Sequence, residues 1–166
     1  RGGADAMQLT ARQRRFQRIL DLGWGSGVLA IAAARVLPDA VVTASVFDPE
    51  AVRVASENVR KNALSGRIQV VTSLGLAHPL LRRRAPYDLL IANILADPLI
   101  GLAPRLARVV PPRGIIVLSG ILQSQGAAVL AAYRASGFAR IQVDRLNGWV
   151  ILTLIRQAER PETGRG

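Results

Sequence analysis

Residues 19–36, ILDLGWGSGVLAIAAARV, restrict the fold more than any other part of the chain. A short apolar, strand-forming run enters glycines at 23, 25 and 27, and an alanine-rich helix former follows at once. Bare backbone at a strand-to-helix turn suits a parallel sheet in which a ligand approaches the main chain beyond the carboxyl end of the first strand. The rest of the chain repeats that alternation. Strands are predicted over 40–47, 67–72, 87–94 and 114–119, and helices over 28–36, 50–61, 97–110 and 122–136, the last stopped by Gly137. The helix over 50–61 carries its apolar residues at Ala51, Val54, Ala55 and Val59, and Pro98 falls in the first turn of the next, where its missing donor costs little. Two further apolar segments, ARIQVDRL and GWVILTLI, meet at Asn147-Gly148, a hairpin dipeptide. The expected fold is α/β: a Rossmann-like, doubly wound sheet, mostly parallel, with a C-terminal antiparallel hairpin. It divides into a basic, helix-tending segment 1–18, a domain 19–156 and a disordered tail 157–166.

The glycine spacing narrows the ligand. Gly23, Gly25 and Gly27 fall as G-x-G-x-G, and Val28 stands where a dinucleotide fingerprint wants a small residue. No Gly-Lys-Ser or Gly-Lys-Thr follows, so the loop is not a phosphate-cradling P-loop. A ligand without phosphates fits better.

Composition removes several kinds of chemistry. The 166 residues suffice for one domain and include no cysteine and one histidine, His78. A thiol nucleophile, a disulfide framework and a two-histidine metal site are therefore excluded, and metal-free chemistry is expected. His78, beside Pro79, is read as structural. Mean hydropathy is +0.26, yet polar residues interrupt every long apolar stretch and no cleavable signal opens the chain, so a soluble, cytoplasmic protein is expected, with no membrane partner. Basic residues outnumber acidic ones 22 to 11, a net charge of +11 that suits RNA; arginines scattered through the chain give the same count without any such partner. RQRRFQR, residues 12–18, is read as a solvated helix face and RRR, residues 82–84, as a loop.

With these elements placed, a family resemblance emerges. LDLGWGSGVLAIAA resembles the first motif of class I S-adenosylmethionine-dependent methyltransferases. FDPEAVRVASENVRKN, APYDLLIANILADPLIGLAP, GIIVLSGIL and the closing Gly-Trp strand are similar, in order and spacing, to the catalytic domain of the ribosomal protein L11 methyltransferase family. NILADPL followed by LSGIL is the most specific part. The resemblance implies S-adenosylmethionine as cofactor and lysine or N-terminal amines of a ribosomal protein as acceptors, with ribosomal RNA as a further contact of the basic surface. It places Gly23, Gly25 and Gly27 against the amino-acid part of the cofactor and Asp21 at the loop or the cofactor's ammonium. Asp48 is the acid retained after the second strand, Ser73 and Leu74 flank the adenine, and Asn93 stands beside the transferred methyl as the catalytic residue. A strand-end cap is the alternative role for Asn93.

Three departures accompany the resemblance. Val46 stands where the family carries a ribose-binding acid, and Trp24 where it carries a small residue. The family's N-terminal recognition domain has no counterpart in residues 1–18, so a truncated or diverged member is expected. A catalytically impaired remnant or interaction module, and a methyltransferase acting on RNA or another protein, stay open as alternative readings.

Overall fold

The computed structural model describes residues 15–158, and its central strands are apolar on both faces because both faces are covered. In β4 (Leu89–Asn93), Leu89 and Ile91 enter one hydrophobic core while Leu90 and Ala92 enter the other. β5 (Ile115–Leu122) alternates in the same way through Leu118, as side chains of period two must. In β1 (Arg18–Gly23), Ile19 faces one core and Leu20 and Leu22 the other. The remaining strands are β2 (Val41–Val46), β3 (Ile68–Thr72), β6 (Phe138–Leu146) and β7 (Trp149–Arg156). The helices are α1 (Val28–Val36), α2 (Pro49–Lys61), α3 (Pro79–Arg84), α4 (Ala96–Val109) and α5 (Gly126–Ala135).

The seven strands lie in the order β3-β2-β1-β4-β5-β7-β6. β1 to β5 are mutually parallel, and β7 runs antiparallel between β5 and β6. The chain thus winds outward from β1 to β3, then crosses back to β4 on the other side of β1, which creates the switch point where α/β sheets bind ligands. The expected mixed sheet and its closing hairpin are both present. Asn147 and Gly148 both have positive φ, 49° and 81°, as the tight hairpin turn requires.

Helix starts follow from local chemistry. The Asp48 carboxylate accepts hydrogen bonds from the backbone N–H groups of Glu50 (3.2 Å) and Ala51 (3.4 Å), with Pro49 at the first helical position of α2. His78 does the same for α3: its Nδ1 accepts from the Leu80 N–H at 3.1 Å, consistent with a structural role. Arg67 holds the far end of α1 by donating to the carbonyl oxygens of Ala34, Leu37 and Ala40.

Several expectations need correction. Residues 82–84 are the last turn of α3 and not a loop, because Leu81 is fully buried and the Tyr87 hydroxyl donates to its carbonyl at 2.8 Å. β5 does not stop at Ser119 but continues to Leu122, and the following helix begins at Gly126 after a 3-10 turn, Gln123–Gln125. Pairing of Ile121 with Val150 and Leu122 with Trp149, beyond a bulge after Leu118, holds those residues extended. Of the expected basic helix, residues 12–14 lie outside the described residues. Residues 15–17 have no regular structure, Arg18 opens β1, and Phe16 is buried in the core beside Ile19 instead of solvated. The expected tail lies outside the described residues from 159 onward. Among the described residues no helix is long and apolar enough to cross a membrane.

Candidate functional site

The register of the parallel strands assembles the site. Thr72 pairs with Val46, Val46 with Gly23, Gly23 with Asn93, and Asn93 with Ser119, so four strand ends and Ser119 of the longer β5 form one row along the carboxyl edge. At about 4.8 Å per strand the row spans roughly 19 Å. Gly23 and Asn93 stand at its centre, on the switch point between β1 and β4.

Above that centre lies a cleft of about 340 Å³, walled by Asp21, the turn from Gly23 to Leu29, Ser45, Val46, Asn93 and Ser119. The turn is held close to the sheet. Gly27, the N-cap of α1, has φ of 77°, and a Cβ there would come within 3.2 Å of the Ala55 Cβ on α2. The Asn58 side-chain amide donates to the Ser26 carbonyl at 3.0 Å, fastening the same loop to α2. A Cβ on Gly25, by contrast, would meet nothing within 4 Å: bare backbone there is open to whatever occupies the cleft.

Asp21 lies in the floor. It shares the face of Ile19, under the start of α1, and is only 7% exposed. Burial pushes its carboxyl up to about 7, partly opposed by a hydrogen bond from the Ala30 backbone N–H. Among the described residues no side-chain cation pairs with it. Such a group fits a ligand that brings its own positive charge.

Asn93 is exposed at the end of β4. As a strand-end cap its side chain would bond a neighbouring backbone group, and among the described residues no such bond is formed. Instead it belongs to two cavities. The second, about 480 Å³, is lined by Asn93, Ser119 and Gly120 on one side and by the β6–β7 tip, including Leu146, Asn147 and Trp149, on the other. Ser119 and Asn93 are common to both cavities and therefore separate them.

The remaining candidates are divided. Ser73 and Leu74 line a neighbouring recess of about 60 Å³ together with Leu22, Gly23, Trp24, Ser45, Phe47 and Gly75. The Ser73 hydroxyl is engaged within its own loop, donating to the Gly75 carbonyl and accepting from the His78 N–H. Asp48 does not line the cleft, and its carboxylate is engaged in capping α2. Sequence reasoning assigned no site role to Ser119, Gly120 or the hairpin tip, although the LSGIL motif, the Asn147-Gly148 turn and the closing Gly-Trp strand had singled out those segments.

Comparison with known proteins places this geometry. The sequence profile of the family described as ribosomal protein L11 methyltransferase (PrmA) matches residues 6–157. The chain belongs to the ribosomal protein L11 methyltransferase family. A relative of that name from Brucella suis is 44% identical over 153 residues, covering 92% of this chain and 53% of the relative. Another from Bradyrhizobium diazoefficiens is 47% identical over 143 residues, 86% of this chain and 48% of the relative. This PrmA-family chain thus spans about half the length of the curated relatives it matches. The crystal structure of a ribosomal protein L11 methylase from Lactobacillus delbrueckii subsp. bulgaricus superposes with a TM-score of 0.80 at 30% identity, over 94% of this chain and 78% of that one. An RNA methyltransferase from Salinibacter ruber in complex with S-adenosyl-L-homocysteine matches at a TM-score of 0.74 and 19% identity, over 98% of this chain and 95% of that one, which shows the shared fold.

Proposed function

We propose that this chain binds S-adenosylmethionine in the cleft over Gly23, Gly25 and Gly27 and transfers its methyl group to an amine, a lysine side chain or an N-terminus, of a ribosomal protein. The observation that carries the reading is the place of Asn93, common to the glycine-walled cleft and to the cavity under the β6–β7 tip. A methyl donor on one side and an acceptor on the other meet there. The residues fit the cofactor: the open backbone at Gly25 leaves the cleft free for the amino-acid part, and the unpaired Asp21 carboxylate complements an ammonium.

The bound sulfonium supplies an activated methyl carbon with a good leaving group, so the protein's task is alignment. The Asn93 carboxamide oxygen accepts a hydrogen bond from the incoming amine and aims its lone pair. The apolar tip residues Leu146 and Trp149 shed water from the approach, favouring the neutral, nucleophilic amine. One proton leaves the amine in the process.

Calorimetric titration with S-adenosylhomocysteine, with NAD as control, tests the cofactor assignment. Micromolar binding of the first alone is expected, and equal affinity for NAD or none for either would refute it. Asn93→Ala is expected to retain that binding while lowering methyl transfer to the ribosomal protein by roughly 10²-fold, the scale of a lost positioning contact. Unchanged turnover would remove Asn93 from the reaction.

A second reading concerns ribosomal RNA. Arg18, Arg83 and Arg84 rim a cleft of about 470 Å³ at the opposite, amino-terminal end of the sheet. Binding to RNA is expected to weaken steeply with salt and to fall in Arg83→Glu. Affinity that ignores salt would dismiss it.

A further inference from the structure

Gly23 and Val46 are register partners at the carboxyl edge, so the residues that follow them, Trp24 and Phe47, are delivered side by side. Their rings touch, with centroids 5.3 Å apart and planes inclined at 46°. Both remain half open to solvent, Trp24 at 53% and Phe47 at 45%. Large aromatic rings left this exposed contribute little to the core; their value lies in what they cover.

They cover the junction of two spaces. Trp24 lines the glycine-walled cleft, and both rings line the 60 Å³ recess beside it. The recess is apolar, walled further by Leu22, Leu74, Ile94 and Leu102, and Leu74 is 69% exposed at its rim. A volume of about 60 Å³ admits a few atoms and not a bicyclic base. Trp24 is more than half exposed on the glycine turn, outside both hydrophobic cores, so its indole can move toward solvent without disturbing the core. At the end of β2, immediately before Phe47, stands Val46, 3% exposed, whose side chain cannot accept a hydrogen bond.

We propose that Trp24 and Phe47 form a hinged aromatic clamp for the purine of the cofactor. The indole swings off Phe47, the recess widens between the rings and Leu74, and the base is held by stacking. This supplies the affinity that a hydrogen-bond acceptor at position 46 would otherwise give through the ribose hydroxyls. The inference rests on the reading of the cleft as an S-adenosylmethionine site.

The experiment separates the two. The chain has two tryptophans, Trp24 and Trp149, so Trp149→Phe leaves Trp24 as the only indole reporter. S-adenosylhomocysteine and adenosine are expected to change its emission, and homocysteine to leave it unchanged. By calorimetry Trp24→Ala is expected to bind S-adenosylhomocysteine roughly 10- to 100-fold more weakly, the range of one lost base–aromatic stack, while Trp24→Phe stays near wild type. Adding Val46→Asp to Trp24→Ala is expected to recover part of the loss, and no recovery would overturn the claim that the pair replaces an acceptor at this strand end. Equal or tighter binding by Trp24→Ala, with wild type binding normally, would overturn the clamp and leave the cofactor site standing. A folded wild-type chain that binds no S-adenosylhomocysteine would overturn both.

Discussion

Replacing Gly120 by alanine is expected to destabilise the chain by about 3 kcal/mol and to reduce methyl transfer more than cofactor binding. Gly120 has φ of 82°, which alone costs an L-residue about 1–2 kcal/mol. Its neighbours add to that. A Cβ would lie 2.7 Å from the Ile94 carbonyl oxygen and 3.1 Å from the Asn93 Oδ1. The first is backbone and yields only if β4 or β5 shifts, an overpacking of a kind that costs roughly 1–3 kcal/mol. The second is the very atom proposed to orient the acceptor amine. The glycine turn of the cofactor cleft, fixed independently by Gly27 against Ala55 and by Asn58 to Ser26, is untouched. Denaturant unfolding reads the first effect, and comparing turnover with S-adenosylhomocysteine affinity reads the second. A stable Gly120→Ala protein with normal turnover would show that the bulge tolerates a side chain and that Asn93 is not held by it.

The same bulge shows where sequence reading stops. Its positive φ and the extended course of residues 120–122 depend on pairing with β7, about thirty residues later, and local periodicity contains no trace of that partner. LSGIL therefore looks like a strand ending at Ser119 followed by a helix. Residues 82–84 mislead for a related reason: six residues make a marginal helix alone, and α3 exists because Leu81 is buried beneath Tyr87. Phe16 lies among arginines and glutamines in sequence but faces Ile19 and its core in space. What was legible is local. The strand–glycine–helix turn and the Asn147-Gly148 hairpin each carry their own chemistry in a few adjacent residues. The candidate site divides along the same line. Gly23, Gly25 and Gly27 could be placed from their own segment, whereas the cavity opposite Asn93 requires residues 93, 119 and 149 to meet, which only the sheet order arranges.

Asp21 is expected to make both stability and S-adenosylhomocysteine affinity depend on pH, in opposite directions. Its carboxyl has an unfolded value near 3.8 and is held at about 7 in the fold, chiefly by burial. Between those values the folded chain retains a proton that the unfolded chain has lost, so stability of the ligand-free protein falls as pH rises, by up to about 1.4 kcal/mol per unit, and levels off above pH 7. Over the whole window this amounts to a loss on the order of 4 kcal/mol. Asp21→Asn, which cannot ionise, is expected to flatten that slope and to be the more stable ligand-free protein at pH 8. Binding runs the other way. An ammonium in the cleft prefers the carboxylate, so S-adenosylhomocysteine must expel the proton below pH 7, and its affinity is expected to climb toward tenfold per unit between pH 5.5 and 7, then level. Calorimetry at pH 6 in two buffers of different ionisation enthalpy should register close to one proton released per ligand bound. Asp21→Asn should release none and bind more weakly at pH 8 despite its greater stability. A pH-independent affinity in wild type would mean that the ammonium does not sit at Asp21. The buried charge would then be a cost of the fold with no ligand to offset it.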